Sequence, residues 1–301
     1  MAANALIWNP LNVKNERLLV YYNSTKGNLG LRQWSAGEDG WGTFWAEKEE
    51  SVKGNLKVGT GLTALRWRDW IRVYGIVAVK EGEGKEVNYI SLLSPVTQSL
   101  SIKTPYLRLT GTGNGKDKAW LYFLTGTDDL VINEKAADNA GTKPINKAQK
   151  FLKQTSPPAL TNLASAYTHK NNKRYVFFQT NLKAIRAVDV AGNTDVEVSA
   201  DARAGTPLAA TSFIHGEKEV LVVYYVRAAD NLLARATLVS GSDKWKPKTV
   251  EGAGSPTQEN LSVAPNTTFL QNTLVFSVDS EEEDVEPQIY TDEWDAILNA
   301  A

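Results

Sequence analysis

The chain contains two histidines, and they fall at equivalent places in neighbouring repeats of the sequence. His169 comes two residues after Tyr167, and His215 comes two residues after Phe213. An imidazole changes its protonation near neutral pH, so it can deliver a proton or a hydrogen bond to a ligand. One such histidine is typical of a turn residue bonded to the backbone. Two histidines at equivalent places also have a second interpretation, in which they form a functional pair on one rim of the fold.

Large aromatic side chains share the repeat position that precedes the histidines. Rings at such a position either fill the core between repeats or form a platform for a ligand, and we interpret the tryptophans first as core. The aromatic position holds Trp8, Trp67, Tyr167 and Phe213, and the position two residues later holds Pro10, Asp69, His169 and His215.

Three arginines lie on or beside the same apolar stretches, and a fourth begins the stretch that follows. A cation in such a place needs solvent or an anionic partner. Arg66, Arg68 and Arg108 therefore have two interpretations, as members of salt bridges that line a channel or as donors to the oxygens of a ligand. Arg72 opens the next apolar stretch, IRVYG.

A repeated pattern of short strands must position these residues. The apolar stretch LVVYY around Tyr224 recurs as LLVYYN, IRVYGI, WLYFLT, YVFFQT and LVFSVD, with centres roughly 47 to 55 residues apart, the period of a propeller blade. A second strand precedes each one, for example LTALRW and LAATSF. The sequence therefore predicts an all-β fold, a six-bladed β-propeller with four-stranded antiparallel blades.

We expect one domain over residues 1–301, with blades at about 1–54, 55–104, 105–158, 159–203, 204–254 and 255–301. Residues 135–158 interrupt the pattern and predict either a solvated insertion that carries one outer strand or a lid over the channel. The acidic run in 279–286 is interpreted as a solvated turn. We expect the last strand, 288–294, to pack against blade 1 and help to close the ring.

Composition narrows the classes of function. The formal net charge is −1, which gives no support for a nucleic-acid partner, and the chain contains no cysteine. No apolar stretch is long enough to span a bilayer, and the first residues show no signal peptide, so we expect a cytoplasmic protein without a membrane partner. No phosphate loop, nucleophile elbow or histidine pair for zinc occurs, so we expect no cofactor and no metal.

The order LTALRW or LAATSF, then IRVYG or LVVYY, then NLGLRQW or AIRAVD resembles the fungal fucose-specific lectins, which are six-bladed propellers. This resemblance implies a sugar held between blades by an Arg, a Glu and an aromatic ring. Arg72 is the one Arg at the matching position, and a Tyr, Tyr89, stands where its Glu would be. In blade 3, Glu134 lies one residue away from the position at which the lectin pattern has its Glu. The sequence thus predicts the lectin scaffold without the fucose site.

The pattern also resembles the propeller hetero-Diels–Alderases of fungal tropolone sesquiterpenoid pathways. This second resemblance implies a cofactor-free pericyclase that joins a tropolone quinone methide to a humulene-type alkene. It implies hydrogen-bond donors among His169, His215, Arg66 and Arg68, and substrate contacts from Trp8, Trp67, Tyr167, Phe213, Arg108 and Arg72. The alternatives are a glycan-binding lectin of altered specificity and a non-catalytic interaction propeller. A homodimer is left open.

Overall fold

The computed structural model describes residues 2–10, 17–35, 41–45, 55–126, 130–137, 141–145, 161–180, 184–278 and 287–300. These residues form six antiparallel sheets in which each strand pairs with the next along the chain. Blade 1 contains β1 (Ala2–Trp8), β2 (Arg17–Asn23), β3 (Leu29–Ser35) and β4 (Trp41–Trp45). Blade 2 contains β5 (Thr63–Trp67), β6 (Trp70–Glu81), β7 (Lys85–Ser94) and β8 (Gln98–Lys103).

The later blades repeat this plan. Blade 3 contains β9 (Leu109–Gly113), β10 (Ala119–Thr125), β11 (Val131–Ala136) and β12 (Thr142–Pro144). Blade 4 contains β13 (Leu163–Thr168), β14 (Lys173–Gln179), β15 (Ile185–Asp189) and β16 (Thr194–Ser199), and blade 5 contains β17 (Ala209–His215), β18 (Lys218–Val226), β19 (Leu233–Val239) and β20 (Lys246–Thr249). Blade 6 contains β21 (Pro256–Asn266), β22 (Gln271–Val278) and β23 (Gln288–Glu293), and a short helix, α1 (Trp294–Asn299), follows it.

The predicted six-bladed, all-β propeller is confirmed, with two differences at the ends of the pattern. Five blades are four-stranded, whereas blade 6 has three strands among the described residues. In the irregular stretch 135–158, β12 forms the outer strand of blade 3, and residues 138–140 and 146–158 lie outside the described residues, so the lid stays a prediction. The acidic run 279–286 also lies outside them.

The second strand of each blade explains why the repeat could be seen in the sequence. In β18, eight of the nine residues are buried, from Glu219 to Val226. A sheet covered by a neighbour on each side buries both of its faces, so the strand is a continuous apolar run rather than an alternating one. LVVYY and its five copies are therefore the cores of the contacts between blades.

The ring closes through side-chain packing between blade 1 and blade 6. Ser262 of β21 donates a hydrogen bond from Oγ to the backbone oxygen of Asn4 at 2.8 Å. Leu6, Trp8, Leu18 and Val20 of blade 1 form one core cluster with Ala264 and Val275 of blade 6. As expected, the last strand packs against blade 1, because β23 contributes Ile289 to this cluster, while its backbone pairs with β22 inside blade 6.

A buried ion pair joins blade 5 to the C-terminal strand. The Arg235 guanidinium donates to Asp292 at 2.9 and 3.1 Å, and the two side chains are 5% and 4% exposed. Arg235 also donates to the backbone oxygen of Ala296 in α1 at 3.1 Å, and the Tyr224 hydroxyl donates to Asp292 at 2.9 Å. Burial raises the pKa of the Asp292 carboxyl, and the Arg235 charge opposes that shift.

We expect Asp292→Ala to lower the free energy of unfolding by about 3–5 kcal/mol, because it leaves a buried guanidinium that cannot lose its proton. Arg235→Met should cost less, since the remaining carboxyl can be protonated. Chemical denaturation of both variants measures the difference. Lys103→Met, which removes an exposed ion pair with Glu81, is the control and should leave the unfolding midpoint unchanged. Equal, small effects of all three substitutions would contradict this account.

The buried tyrosines predict a loss of stability at high pH. Burial raises the pKa of the Tyr21 hydroxyl to about 12, whereas the unfolded chain releases this proton near pH 10. The folded state thus holds the proton through that window, and the free energy of unfolding falls as pH rises through it, by up to about 3 kcal/mol for this group. Tyr21→Phe should reduce the slope of stability against pH there and leave it unchanged at neutral pH. Identical slopes would refute the prediction.

Candidate functional site

The six inner strands surround a central channel that has a wide part and a narrow part. The wide part has a volume of about 530 Å³ and opens where the inner strands end, and the narrow part, about 150 Å³, lies at the end where they begin. The two parts share wall residues, so they form one channel. The shared residues are Leu6, Ala64, Gly111, Ser165, Ala210 and Val263.

Small residues on the inner strands line the channel, and at position 111 the packing of the blades excludes a larger one. A Cβ at position 111 would stand 3.0 Å from the Leu121 side chain and 3.1 Å from that of Leu65, so a larger residue would crowd the neighbouring core. Five serine and threonine residues, Thr112, Ser165, Thr211, Ser212 and Thr267, also line the wide part. The wall thus offers hydrogen-bonding groups beside apolar surface, and it is more polar than an aromatic-walled cavity would be.

Four of the residues predicted from the sequence come together at the wide part. Trp8, Arg66, Tyr167 and His169 all line it. They come from blades 1, 2 and 4, and each lies at or just beyond the end of an inner strand. The arrangement places a guanidinium and an imidazole at one opening, and Trp8 and Tyr167, which are 8% and 7% exposed, lie largely buried in the wall beside them.

Contacts on both sides hold the Tyr167 ring in place. The ring stacks on Trp120 of blade 3, with centroids 5.9 Å apart and planes 12° apart, and its hydroxyl donates to Asn172 Oδ1 at 2.6 Å. The His169 ring meets Tyr167 edge-on at 5.1 Å. Burial raises the pKa of the Tyr167 hydroxyl, which therefore stays a neutral donor. This aromatic group is ordered before any ligand arrives.

A buried carboxylate of the next blade holds the turn that carries His169. Glu219, which is 3% exposed, accepts hydrogen bonds from the backbone N–H groups of His169 and Lys170. The contact crosses from blade 5 to blade 4, so it fixes the turn relative to the neighbouring sheet. The histidine side chain itself is exposed towards the opening of the channel.

Arg66 lies at the opening on blade 2, two blades away from His169, and forms an exposed ion pair. Its Nη2 lies 2.7 Å from Asp69 Oδ1. Arg68 and Asp69, the two central residues of this turn, both have positive φ, 49° and 64°. Glycine or asparagine is the usual residue at such positions, so the turn carries a small strain that favours a role for its side chains.

The other predicted residues of blade 2 lie away from the wide cavity. Trp67 is buried between blades 2 and 3, where its Nε1–H donates to the backbone oxygen of Asp117 at 2.7 Å. The guanidinium carbons of Arg72 and Arg68 lie 3.9 and 4.8 Å from the Trp67 ring centroid. Arg108 lines the narrow part of the channel instead.

Phe213 and His215 contact the C-terminal helix rather than the cavity. Phe213 stacks on Trp294 of α1, with centroids 4.2 Å apart and planes 6° apart. His215 meets the edge of Trp294 at 6.1 Å, and its Nε2 lies 3.4 Å from Asp295 Oδ1. The two histidines therefore occupy equivalent turns, but among the two His169 alone lines the cavity. The roles of all these residues stay predictions.

An Arg, a Glu and an aromatic ring do meet between blades 3 and 4. The Arg174 guanidinium donates to Glu134 at 3.4 Å and lies 4.5 Å from the Trp120 ring centroid, and the Tyr122 hydroxyl donates to Glu134 at 3.0 Å. Comparison within single blades missed this group because neighbouring blades supply the Arg and the Glu. A comparison that took the Glu from one blade and the Arg from the next, and that allowed a shift of one residue, would have found this group.

Among the described residues, no group of three or more His, Asp or Glu side chains is arranged to hold a metal ion. Within the same ranges, no helix has the length and apolar character needed to cross a membrane.

No protein-family model matches this sequence, and no curated protein matches it either. Solved structures do. The chain is similar to the lectin of Aleuria aurantia in complex with α-methyl-L-fucoside, with TM-score 0.63 and 13% identity over 97% of this chain and 96% of the lectin. A mutant of AofleA from Arthrobotrys oligospora gives TM-score 0.61 and 16% identity over 96% of this chain and 86% of that one.

An enzyme gives a comparable match. The leech intramolecular trans-sialidase aligns with TM-score 0.61 and 9% identity over 100% of this chain and 69% of its own. Identities this low show the fold alone. The Aleuria aurantia lectin is itself a six-bladed propeller with fucose recognition, so the fold of this chain is that of the fungal fucose-lectin propellers.

Cysteine substitution can test whether the wide part is open, because the natural chain has no thiol. We expect a maleimide to label Ser212→Cys, on the cavity wall, rapidly in the folded protein. Ala236→Cys, fully buried in the core, is the control and should react only after unfolding. Equal protection of the two thiols would show that the channel is closed to a molecule of this size.

Proposed function

We propose that this protein is a carbohydrate-binding propeller that holds a hydroxylated ring compound in the wide part of its channel, with a specificity other than that for fucose. The observation that carries the proposal is that Trp8, Tyr167, Arg66 and His169 line one cavity. A sugar presents an apolar face to an aromatic ring and hydroxyls to polar groups, and this wall offers both.

Each part of the wall has a distinct role in this proposal. The Tyr167 ring, already ordered by Trp120 and Asn172, packs against the apolar face of the ligand. Arg66 donates hydrogen bonds and His169 either donates or accepts one. The Ser212 hydroxyl donates to the backbone oxygen of Tyr167 and therefore acts as an acceptor towards a sugar, and the Ser165 hydroxyl shares a hydrogen bond with Thr110 at 3.0 Å.

We place the ligand in the channel rather than between blades because the polar groups between blades already bind each other. Arg174 pairs with Glu134 beside Trp120, and Arg235 pairs with Asp292. A sugar there would have to displace a charged partner, and a separated charge is costly where water is excluded. The neighbouring lectin structures with a bound fucoside support the class of ligand, not its position.

A second function, the cofactor-free hetero-Diels–Alder reaction, is favoured by the size of the cavity. A volume of about 530 Å³ is larger than one sugar ring needs and suits a tropolone quinone methide with a humulene-type alkene. Holding two reactants face to face can remove roughly 7–11 kcal/mol of barrier in favourable cases. Arg66 or His169 would then donate to a tropolone oxygen and stabilise the charge that develops there.

We expect His169→Ala and Arg66→Ala each to weaken the binding of the preferred sugar by roughly tenfold to a hundredfold, since each removes a hydrogen bond from a group able to carry charge. Titration with monosaccharides chosen from a glycan array measures the affinity. His215→Ala is the matched control, because it removes the histidine at the equivalent repeat position without touching the cavity, and its affinity should be unchanged.

The same variants separate the two functions. Incubation with a hydroxymethyl-tropolone and humulenol should give cycloadduct no faster than the uncatalysed reaction if the protein is a lectin. Acceleration that disappears in His169→Ala or Arg66→Ala, without sugar binding, would establish the pericyclase in its place. Sugar binding that survives both substitutions but is lost in Arg174→Ala would move the site to the contact between blades 3 and 4.

A further inference from the structure

The wide opening of the channel is surrounded by turns with an unusual surface. Because all six inner strands run in the same direction around the ring, the turns that follow them lie on one face of the propeller. Five of these turns are described, at residues 66–70, 113–118, 168–173, 214–218 and 266–271, and together we call them the mouth face.

Large apolar side chains are exposed on the mouth face. Trp70 is 59% exposed, Ile214 41%, and Phe269 and Leu270 44% each. Nine large hydrophobic residues are exposed among those described, and these four include both of the aromatic ones. The aromatic side chains are therefore not scattered over the surface at random.

The backbone of one of these turns adds a second observation. Leu270 has a φ of 51°, a conformation that costs energy for a residue with a branched side chain. Its backbone oxygen accepts a hydrogen bond from the Trp294 N–H at 2.9 Å, and this bond explains the shape of the turn. A glycine or asparagine would serve that bond with less strain. The turn thus keeps a leucine that is 44% exposed at a position where glycine or asparagine is usual.

The mouth face is also positively charged. Within the five turns, six exposed cations stand against three exposed carboxylates, Asp69, Asp117 and Glu217, and two further exposed carboxylates adjoin them, Asp295 beside His215 and Glu293 opposite Gln271. The face that carries the exposed aromatic residues therefore has a small excess of positive charge, although the whole chain has a net charge of −1. The exposed cations are Arg66, Arg68, Lys116, Lys118, Lys170 and Lys218.

From this combination we infer that the mouth face docks on an anionic lipid bilayer. Tryptophan and phenylalanine insert at the boundary between head groups and acyl chains, and lysines around them are attracted to anionic head groups. The two signals act together, as stable adsorption requires. This is attachment to a surface rather than a span.

Lipid fits these turns better than a folded protein partner does. The apolar residues lie on separate turns around an opening, on blades 2, 5 and 6, and they do not form the continuous core patch typical of protein interfaces. A fluid surface can accept separate insertions. Docking would hold the opening of the channel against the lipid, and it does not depend on which ligand the channel binds.

Co-sedimentation of the full chain with vesicles tests the inference. We expect binding to phosphatidylcholine vesicles that contain phosphatidylserine, little binding to phosphatidylcholine alone, and release by salt. The double variant Lys116→Ser with Lys118→Ser should lower the ratio of bound to free protein by roughly tenfold to thirtyfold. Trp70→Ser should also lower it at fixed lipid composition, and its exposure means that folding is not at risk.

Matched controls lie at the other end of the propeller. Val58 is 53% exposed near the narrow part of the channel, and Lys80 and Lys85 flank the far end of the β6–β7 hairpin. Val58→Ser and the pair Lys80→Ser with Lys85→Ser should leave vesicle binding unchanged. The inference is overturned if the natural protein does not sediment with anionic vesicles, or if control and mouth-face variants lose binding equally.

Discussion

The fold depends on one constraint, that each blade is covered on both faces by other blades. Water is excluded between the sheets, so every polar group placed there must find a partner in the protein. The constraint makes β18 and its equivalents continuously apolar. It also explains why the charges between blades occur as pairs, with Arg235 bound to Asp292 and Arg174 beside Glu134. The stability of the fold and the pairing of these charges thus have the same physical cause.

In the proposed function, the same constraint directs ligand binding to the channel. Inner strands pack through their faces and leave an edge towards the axis, where small residues such as Ala64 and Gly111 line the channel. A side chain can reach water there without disturbing the contacts between blades. Arg66 and His169 are exposed at the opening, whereas the aromatic side chains at the shared repeat position are all buried. Trp8 and Tyr167 still border the channel, whereas Trp67 and Phe213 do not, so equivalent sequence positions have different surroundings.

Periodicity in the sequence predicted the fold because burial on two faces leaves a strong local signal. It placed the stretch WLYFLT within β10, Ala119–Thr125, and the stretch LLVYYN within β2, Arg17–Asn23. The site was harder to predict, because its residues come from blades 1, 2 and 4. The helix α1 was missed altogether, and with it the cover over Phe213 and His215. Six residues at the end of a chain carry too little periodic signal to reveal a helix whose position depends on Trp294.

The C-terminal helix shows why a propeller with unequal blades can still close. Blade 6 has three described strands, and α1 follows the third and packs Trp294 and Ile297 into the core shared with blade 5. Trp294 also donates from Nε1 to Asn272 at 3.0 Å, which in turn donates to the Tyr224 hydroxyl. The helix therefore covers a blade face that would otherwise lie open, and it connects that cover to the Arg235–Asp292 pair. Phe213 stacks on the same tryptophan, so the helix that packs against blade 6 also covers the Phe213 ring. Tyr167 on blade 4, which stacks on Trp120, is then the ordered ring beside the opening.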